Sequence, residues 1–392
     1  MHYDVVIVGA GPAGSITAKY AAQGGASVIM LEKRQEIGSP VRCGEGIARE
    51  WIDEVGIKLD QKWIAYEVEG AKVVSPNGNS FCINERIAGD EVGTVIERDL
   101  FDRALVEDAV RAGADVMVKT AVTGLIKDGG VKGVVADSPL GRLEISAGAV
   151  VGADGFESQV GCWGGIDTRL KPRDVTTCLQ YRMTNIRPDP DYCEFILGSG
   201  APGGYVWVFP KSEESANVGL GMQLPKLKKK GELRYWLDKY IEKDERLKGG
   251  KVIEIVSGAV STCAPIDKTV SDGLLLVGDA ARLVDPITGG GIANACKAGR
   301  VAGEVLAEAA QAKDFSAEML DKYEKGWRKR LEEALFRNWM AKEKLVTLSD
   351  ETFDKIIEVL ARENLDHLSV LNILKVIQKQ LPELVEEFMD LI

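Results

Sequence analysis

The segment Gly278-Asp279-Ala280-Ala281-Arg282-Leu283-Val284-Asp285-Pro286-Ile287-Thr288-Gly289-Gly290-Gly291-Ile292 follows a short apolar run, Leu274 to Val277. Such a run is typical of a buried strand, and the glycines after it are typical of a turn into a helix. A second glycine-rich segment, Gly9-Ala10-Gly11-Pro12-Ala13-Gly14, lies near the beginning of the chain. One nucleotide-binding turn needs one such segment. Two segments this far apart predict a long dinucleotide that is held at both ends.

The segment Gly9 to Gly14 fits the G-x-G-x-x-G fingerprint in its expected context. Tyr3 to Val8 reads as a buried strand, Ser15 to Gln23 as a helix and Ala26 to Leu31 as a second strand, which together make one βαβ unit. The first glycine makes a tight turn, the second lets the backbone approach a pyrophosphate, and the third lets helix and strand pack closely. Glu32 ends the second strand, where a carboxylate accepts hydrogen bonds from ribose hydroxyls.

Three further segments favour FAD over NAD as the dinucleotide. Arg98 immediately precedes Asp99, the predicted N-cap of a helix, and is placed to reach a phosphate or an adenine-side group. An exposed surface arginine would give the same pattern. Asp154-Gly155 closes another predicted strand, and Gly278-Asp279 offers a carboxylate followed by glycines whose N–H groups can contact a flavin ring.

Composition excludes several other classes of protein. The chain has 392 residues, of which 45% are hydrophobic and 28% are charged, as in ordinary globular proteins. Its net charge of −11 argues against sequence-blind binding of nucleic acid. The seven cysteines include no C-x-x-C pair, which argues against zinc and iron–sulfur sites and favours a reducing cytosol. We predict no metal site, no cleaved signal and no membrane-spanning segment.

A change in the pattern of apolar and polar residues divides the chain into predicted units. Between residues 172 and 260, apolar and polar residues alternate with period two, as in an antiparallel sheet. We therefore predict an α/β fold with a discontinuous, Rossmann-like FAD-binding domain formed by residues 1–171 and 261–310. Residues 172–260 form an inserted antiparallel-sheet substrate domain, and residues 311–392 form a helical C-terminal region.

One predicted strand of the inserted sheet carries three aromatic residues. Tyr205, Trp207 and Phe209 alternate along it, so their rings project from one face. They can form an apolar wall for a substrate, or they can fill the core between the sheet and the helices. Val206 and Val208 on the other face are predicted to be ordinary core residues.

These motifs together resemble known families. The fingerprint, the Arg98-Asp99 helix start, Asp154-Gly155 and Gly278-Asp279 resemble the para-hydroxybenzoate hydroxylase-type flavoproteins. Two more segments, residues 38–47 (G-S-P-V-R-C-G-E-G-I) and residues 202–210, which fit P-x-x-Y-x-W-x-F-P, resemble the geranylgeranyl reductases. The whole chain is similar to the archaeal members of that family that act on digeranylgeranylglycerophospholipids. The resemblance implies an FAD-dependent oxidoreductase that saturates the isolated C=C bonds of geranylgeranyl chains on glycerol lipids.

The resemblance also implies roles for individual residues. The predicted FAD contacts are Gly9, Gly11, Ala13, Gly14, Glu32, Lys33, Arg42, Cys43, Gly44, Gly46, Arg98, Val122, Asp154, Asp279, Pro286, Gly289, Gly290, Gly291 and Ile292. The predicted substrate contacts are Tyr205, Trp207, Phe209 and Val370. Cys43, Tyr205 or a trapped water are candidate proton donors, whereas His2 and His367 are poor candidates. Cys43 can instead be a small buried apolar residue, the commonest role of a free cysteine, and a redox pair of Cys43 with Cys296 stays open.

The implied partners are a polyprenyl glycerophospholipid, the inner face of the cell membrane as a peripheral contact, and an electron donor. Ferredoxin, a reduced nicotinamide and a reduced deazaflavin all fit as donors. The apolar residues in the tail, Lys342 to Ile392, are typical either of a lid over a lipid tunnel or of helices that pack on the core. Lys342, Lys344 and Arg337 are candidates for binding the lipid phosphate.

Two other functions fit parts of the sequence. A flavin monooxygenase or epoxidase of a hydrophobic substrate would share the nucleotide-binding half, but the Cys43 loop and the aromatic strand favour the reductase. An electron carrier from flavin to quinone would usually carry a cluster-binding set of cysteines. The dispersed cysteines of this chain argue against it.

Overall fold

The computed structural model describes residues 1–84, 93–363 and 370–384, so His367 lies outside the described residues. The strands in these ranges are β1 (His2–Val8), β2 (Val28–Leu31), β3 (Gly46–Ala48), β4 (Ile64–Glu67), β5 (Gly70–Val74), β6 (Ser80–Asn84), β7 (Gly93–Ile96), β8 (Asp115–Met117), β9 (Ala121–Lys127), β10 (Val131–Ser138), β11 (Gly141–Gly152), β12 (Val175–Thr184), β13 (Tyr192–Ile196), β14 (Tyr205–Ser212), β15 (Ser215–Gln223), β16 (Lys251–Ser261), β17 (Val270–Ser271) and β18 (Leu274–Leu276). The helices are α1 (Pro12–Gln23), α2 (Glu50–Glu54), α3 (Arg98–Arg111), α4 (Gln159–Gly164), α5 (Glu232–Lys243), α6 (Ile292–Ala312), α7 (Ala317–Trp327), α8 (Glu333–Leu345), α9 (Asp350–Leu360) and α10 (Val370–Gln380).

The first sheet is the nucleotide-binding sheet that the fingerprint predicts. Its strands lie in the order β17-β18-β11-β1-β2-β8, and β18, β11, β1, β2 and β8 are all parallel. Both glycine-rich segments follow strands of this sheet, β1 and β18. In a parallel sheet, the carboxyl ends of the strands share one edge, so the two segments come together there.

The predicted βαβ unit is confirmed, with one correction at the next helix. Helix α3 begins at Arg98 and its N-cap residue is Glu97. The prediction that Asp99 caps this helix is therefore wrong by two positions. Asp99 lies in the first turn, where its negative charge still favours the positive end of the helix dipole.

The second sheet is mostly antiparallel and carries the aromatic strand. Its order is β16-β12-β15-β14-β13-β5-β6, in which only the β13–β5 pair of the described strands is parallel. Strands β5 and β6 come from residues 70–84, so an early part of the chain extends the sheet beyond residues 172–260. The division of the chain into domains stays a prediction.

The second sheet separates two apolar clusters. Val206 and Val208 belong to the cluster on one face, against α5, so their predicted role as core residues is confirmed. Trp207 and Phe209 belong to the cluster on the other face, which includes residues of α9 and α10. The C-terminal helices therefore cover the aromatic face of the sheet.

Small residues bring α6 close to α1, directly behind the fingerprint. A Cβ atom on Gly299 would lie 2.8 Å from the backbone oxygen of Ala13, and one on Gly303 would lie 2.6 Å from Cβ of Tyr20. This packing fixes the second glycine-rich segment, which leads into α6, against the first. Among the described residues, no helix is both long and apolar enough to cross a membrane.

Candidate active site

The three fingerprint glycines occupy the three environments that the motif requires. Gly9 has a φ of +104°, and a Cβ atom there would lie 2.3 Å from the backbone oxygen of Ala153. A Cβ atom on Gly14 would lie 2.1 Å from the backbone oxygen of Gly9, so this glycine permits close helix packing. A Cβ atom on Gly11 would meet no described atom within 4 Å. Gly11 faces a cavity, at the place where a pyrophosphate approaches the N-terminus of α1.

Glu32 is held in position at the same edge of the sheet. One carboxylate oxygen accepts a hydrogen bond from the backbone N–H of Ala10 at 3.2 Å, and the other accepts one from Arg34 N–H at 2.9 Å. The side chain thereby joins the end of β2 to the fingerprint turn. This is the geometry in which a glutamate accepts ribose hydroxyls in dinucleotide-binding folds.

Two half-buried aspartates, Asp154 and Asp279, line the cavity further along. Oδ2 of Asp154 accepts a hydrogen bond from Val160 N–H at 3.0 Å, whereas its buried Oδ1 has no partner among the described residues. Burial raises the pKa of Asp154 and that of Asp279. A buried acceptor without a partner is costly, and the hydroxyls of a bound dinucleotide can satisfy it. This fits the FAD that the fingerprint predicts.

Arg98 lies between the nucleotide-binding end and the Cys43 loop. Its Nε donates to Asp102 Oδ1 at 2.8 Å, and its side chain lines the cavity. Burial opposes its charge, but Asp102 and Cys43 more than offset this, so the pKa of Arg98 lies well above its ordinary value. The guanidinium is therefore a permanent cation beside the Cys43 thiol. Contact of Arg98 with a phosphate stays a prediction.

The second glycine-rich segment is organised by Asp285. Oδ1 of Asp285 accepts hydrogen bonds from the N–H groups of Ile287 and Thr288, both at 2.9 Å. Asn338 of α8 donates to the other carboxylate oxygen, which ties this loop to the C-terminal helices. The hydroxyl of Tyr205 donates to the backbone oxygen of Thr288. The loop is therefore anchored from both the aromatic strand and α8.

The Cys43 loop lies directly on the aromatic strand. A Cβ atom on Gly44 would be 2.9 Å from the Phe209 ring, and one on Gly46 would be 3.2 Å from it. Gln180 links the two elements further, because its Nε2 donates to the backbone oxygen of Cys43 at 3.0 Å while its Oε1 accepts from Trp207 Nε1 at 2.8 Å. These contacts fix the loop at the edge of the apolar wall.

A buried network of charged side chains fixes the Cys43 loop through Glu45. The side chain of Lys211 is fully buried, and its Nζ lies 2.8 Å from Glu45 Oε2 and 3.0 Å from Glu97 Oε2. Asn217 Nδ2 donates to Glu45 at 2.6 Å, and the backbone N–H of Arg98 donates to Glu45 Oε1 at 2.7 Å. Glu45 has a φ of +74°, a strained conformation for a residue with a side chain. The network stabilises this conformation.

The aromatic wall is larger than the sequence pattern indicates. Phe195 of β13 packs against Tyr205 and Phe209, with ring centroids 5.3 and 5.2 Å apart. Tyr205 and Trp207 have centroids 5.9 Å apart. The four rings form one continuous apolar surface that faces the cavity.

The cavity has a volume of about 600 Å³ and collects nearly all of the predicted site residues. Those that line it are Gly9, Gly11, Ala13, Glu32, Lys33, Arg42, Cys43, Gly44, Gly46, Arg98, Val122, Asp154, Tyr205, Trp207, Phe209, Asp279, Pro286, Gly289, Gly290, Gly291 and Ile292. Gly14 lies behind the turn, and Val370 packs in the apolar cluster beneath the aromatic strand. Their proximity makes one site possible, although the role of each residue stays a prediction.

The other candidates are placed as follows. Lys342 is buried, lines the cavity and pairs with Glu343, whereas Arg337 pairs with Glu333. Cys43 and Cys296 are both free thiols. Burial raises the pKa of Cys296 strongly, so this thiol stays protonated.

Several site residues escape sequence reasoning. Glu45, Gln180, Lys211 and Asn217 are polar residues whose partners lie far away in the chain, and Phe195 lies outside the P-x-x-Y-x-W-x-F-P motif. A buried lysine within an apolar strand, Lys211 in β14, is the one signal that could have indicated a network.

Replacing Gly219 by valine is expected to displace Trp207. A Cβ atom on Gly219 of β15 would lie 2.1 Å from Cζ2 and 2.3 Å from Cε2 of the Trp207 ring. We expect a loss of about 1–3 kcal/mol of unfolding free energy from overpacking, and a shifted tryptophan fluorescence maximum. The matched change Gly124→Val, where a Cβ atom meets nothing within 4 Å, should leave the fluorescence unchanged. An unchanged spectrum for Gly219→Val would contradict the placement of Trp207.

Comparison with known proteins agrees with the geometry. Residues 4–192 match the FAD dependent oxidoreductase family, and residues 174–260 match the geranylgeranyl reductase catalytic domain. Structures of flavin-dependent halogenases, such as a brominase with 22% identity and a TM-score of 0.72 over 92% of this chain and 94% of that one, show the same fold. The fold and these matches define an FAD-dependent oxidoreductase.

Full-length relatives identify the family. The digeranylgeranylglycerophospholipid reductase of Thermoplasma volcanium is 48% identical over 100% of this chain and 99% of its own, and that of Methanothrix thermoacetophila is 45% identical over 100% of both. The crystal structure of a geranylgeranyl bacteriochlorophyll reductase-like protein from Thermoplasma acidophilum, 47% identical, has a TM-score of 0.95 over 100% of this chain and 99% of that one. The chain belongs to the digeranylgeranylglycerophospholipid reductase family.

Proposed function

We propose that the protein saturates the geranylgeranyl C=C bonds of digeranylgeranylglycerol phospholipids, as a step of archaeal ether-lipid biosynthesis. The observation that carries this proposal is the shared cavity. The fingerprint turn, the Cys43 loop and the four-ring wall all line it. A site for a dinucleotide is therefore continuous with an apolar surface for a long hydrocarbon chain. The curated relatives named above carry this activity in their names.

The apolar wall has a chemical purpose in such a reaction. The side chains of Phe195, Tyr205, Trp207 and Phe209 line the cavity, so they bind an isoprenoid chain and exclude water. Bound FAD supplies the hydride chemistry. The fingerprint turn, Glu32, Asp154 and Asp279 are the residues that would hold FAD.

A trisubstituted C=C bond without a neighbouring carbonyl also needs a proton. Tyr205 is an unfavourable source because its hydroxyl proton is directed to the Thr288 backbone oxygen. Cys43 lines the cavity, and its Sγ accepts a hydrogen bond from the backbone N–H of Glu45 at 3.2 Å. Cys178 also lines the cavity, but burial raises its pKa to about 12, so its thiol is a weak proton donor. We therefore assign the proton to Sγ of Cys43, beside the Arg98 cation.

Two single substitutions test this assignment. Cys43→Ala is expected to lower the rate of double-bond reduction by about 10²–10⁴-fold, the usual contribution of a general acid, with FAD still bound. Tyr205→Phe removes the hydrogen bond to the Thr288 backbone oxygen and is expected to lower the rate less than about tenfold. The rates are measured by single turnover of the reduced protein. The reverse order of effects would reassign the proton donor to Tyr205.

The substrate also implies where the protein works. A phospholipid with two geranylgeranyl chains resides in a membrane, so we propose a cytoplasmic protein that associates peripherally with the inner face of the cell membrane. Electrons must come from a reduced donor. Ferredoxin, a reduced nicotinamide and a reduced deazaflavin remain the predicted classes.

Mass spectrometry tests the proposed function. Dithionite-reduced holoprotein is incubated with digeranylgeranylglycerol phospholipid without oxygen, and the molecular mass of the lipid is then measured. We expect mass gains in steps of two hydrogens, which are absent when FAD has been removed. No gain with fully reducible FAD, or products that contain added oxygen when air is admitted, would contradict the reductase and favour a monooxygenase.

A further inference from the structure

A cluster of exposed lysines lies between β15 and α5. Lys226, Lys228, Lys229 and Lys230 are all exposed and follow one another within five positions. Leu224 and Tyr235 flank them, with 38% and 55% of their surface exposed. Lys239 adds a further cation from α5. We call Leu224, these lysines and Tyr235 the lysine patch.

The one carboxylate bound within the patch among the described residues is that of Glu232, which accepts hydrogen bonds from the backbone N–H groups of Lys228 and Lys229 at 2.6 and 3.2 Å. Among the described residues, no carboxylate forms an ion pair with the side-chain amines of Lys226, Lys228, Lys229, Lys230 or Lys239, whereas Lys72 and Lys322 each pair with one carboxylate and Lys211 pairs with two. The whole chain has a net charge of −11, so a concentration of unpaired positive charge runs against its overall balance. Such a patch attracts an anionic surface.

The exposed ring of Tyr235 lies between two of these cations. Nζ of Lys229 is 5.9 Å from the ring centroid and Nζ of Lys239 is 5.7 Å from it. Tyrosine with an apolar body and a polar tip is typical of the interface between water and lipid. Leu224 adds an exposed apolar side chain to the same surface.

The lysine patch adjoins the cavity. Gly203 lines the cavity, and a Cβ atom on it would lie 3.6 Å from Cγ of Lys226. Gln223, next to Leu224, donates a hydrogen bond to the backbone oxygen of Arg173 at 2.7 Å. Lys226 of the patch therefore lies beside a residue that lines the cavity.

We propose that the lysine patch docks the protein on a bilayer of anionic phospholipid, with Gly203 and the cavity lining beside it turned towards the lipid. The proposal rests on the proposed function in one respect, that the substrate is a phospholipid. Unpaired lysines match the phosphates of the surface, and Tyr235 and Leu224 enter its interfacial layer. An acidic protein partner would use the same lysines, and the vesicle experiment separates it from the bilayer.

Vesicle binding tests the proposal with a matched control. In the patch variant, Lys226, Lys228, Lys229 and Lys230 are each replaced by glutamine. In the control variant, four exposed lysines elsewhere, Lys58, Lys132, Lys268 and Lys329, are replaced in the same way, so both variants lose the same charge. FAD-loaded proteins are sedimented with vesicles of phosphatidylglycerol and phosphatidylcholine in equal parts, and with vesicles of phosphatidylcholine alone.

One lysine near an anionic membrane surface strengthens binding by roughly fivefold. We therefore expect the patch variant to bind the anionic vesicles at least about tenfold more weakly than the wild type and the control variant. Equal binding of the two variants would overturn the proposal, as would failure of the wild type to bind anionic vesicles. Unchanged vesicle binding together with slower electron transfer from an acidic ferredoxin would assign the patch to a protein partner instead.

A second assay keeps this proposal separate from the proposed function. Reduction of lipid dispersed in detergent needs no bilayer, so the patch variant is expected to match the wild-type rate there. If the wild type reduces no lipid in detergent, the proposed function is contradicted. The docking proposal is then still tested independently by the sedimentation with vesicles. If the patch variant alone is inactive in detergent, the lysines serve the active site and the docking proposal is overturned.

Discussion

Replacing Gly11 by leucine is expected to abolish FAD binding while the chain still folds. A Cβ atom at this position meets no described atom within 4 Å, so the larger side chain extends into the cavity without disturbing the protein. It then occupies the place where the pyrophosphate approaches the fingerprint turn. We expect FAD affinity to fall at least about 100-fold, equivalent to about 2.8 kcal/mol, as measured by titration of the apoprotein with FAD fluorescence.

The matched control for this change is Gly200→Leu. Gly200 is exposed, and a Cβ atom on it also meets nothing within 4 Å, but it does not line the cavity. It should bind FAD as the wild type does. Circular dichroism should show the same helix content for both variants. Wild-type FAD affinity in a folded Gly11→Leu protein would contradict the assignment of the cavity to the cofactor.

Replacing Lys211 by methionine is expected to have the largest effect on stability. Lys211 is fully buried and is paired with Glu45 and Glu97. Methionine keeps much of the volume but leaves two carboxylates without their shared cation, and breaking a buried pair in this way costs about 3–5 kcal/mol. Denaturant unfolding of the holoprotein measures the loss, and exposed Lys132→Met is the control.

A double substitution shows whether the loss comes from Glu45. Glu97 keeps its ion pair with Arg182 at 3.1 Å, so adding Glu45→Gln to Lys211→Met removes the carboxylate charge that has lost its cation, and part of the stability should return. The same network holds the Cys43 loop, which lines the cavity that would hold FAD. Lys211→Met should therefore also change the fluorescence of bound FAD. A loss below about 0.5 kcal/mol for Lys211→Met, the range of an ordinary surface change, would contradict the network.

Acid is expected to reproduce part of this loss in the wild type. Burial alone would raise the pKa of Glu97, but Arg182 and Lys211 together outweigh it and hold the pKa below its ordinary value. A carboxyl group whose pKa is lowered on folding contributes stability above its unfolded pKa, and that contribution is lost as the pH falls through the folded pKa. Unfolding free energy should therefore decline below about pH 4.5 more steeply in the wild type than in Glu97→Gln.

The sequence predicts the parts of the site that are local or periodic. The fingerprint reveals the turn because its glycines are required by backbone geometry within six consecutive residues. Tyr205, Trp207 and Phe209 reveal the wall because alternation along a strand places them on one face. The resemblance to flavoproteins joins these parts, and the cavity brings them together.

The parts that sequence reasoning misses depend on contacts between distant segments. Lys211 meets Glu45 across a separation of 166 residues, and Gln180 meets Cys43 across 137, which no local pattern encodes. Strands β5 and β6 join the second sheet through the β13–β5 pair, although they precede the rest of it by a long stretch of chain. The sequence predicts the wrong cap for α3 because Asp99 is the better capping residue by type, while Glu97 occupies the N-cap position in the fold.

The central claim is that the dinucleotide site and the aromatic wall form one reaction site, and an oxygen-free single turnover tests it most directly. FAD in the holoprotein is reduced with a stoichiometric amount of dithionite, and its absorbance is followed after lipid is added. With digeranylgeranylglycerol phospholipid, we predict that the oxidised absorbance returns, with one double bond saturated for each FAD. The fully saturated lipid should give no change. Oxidised absorbance that returns only when oxygen is admitted, with the lipid unaltered, would contradict the account.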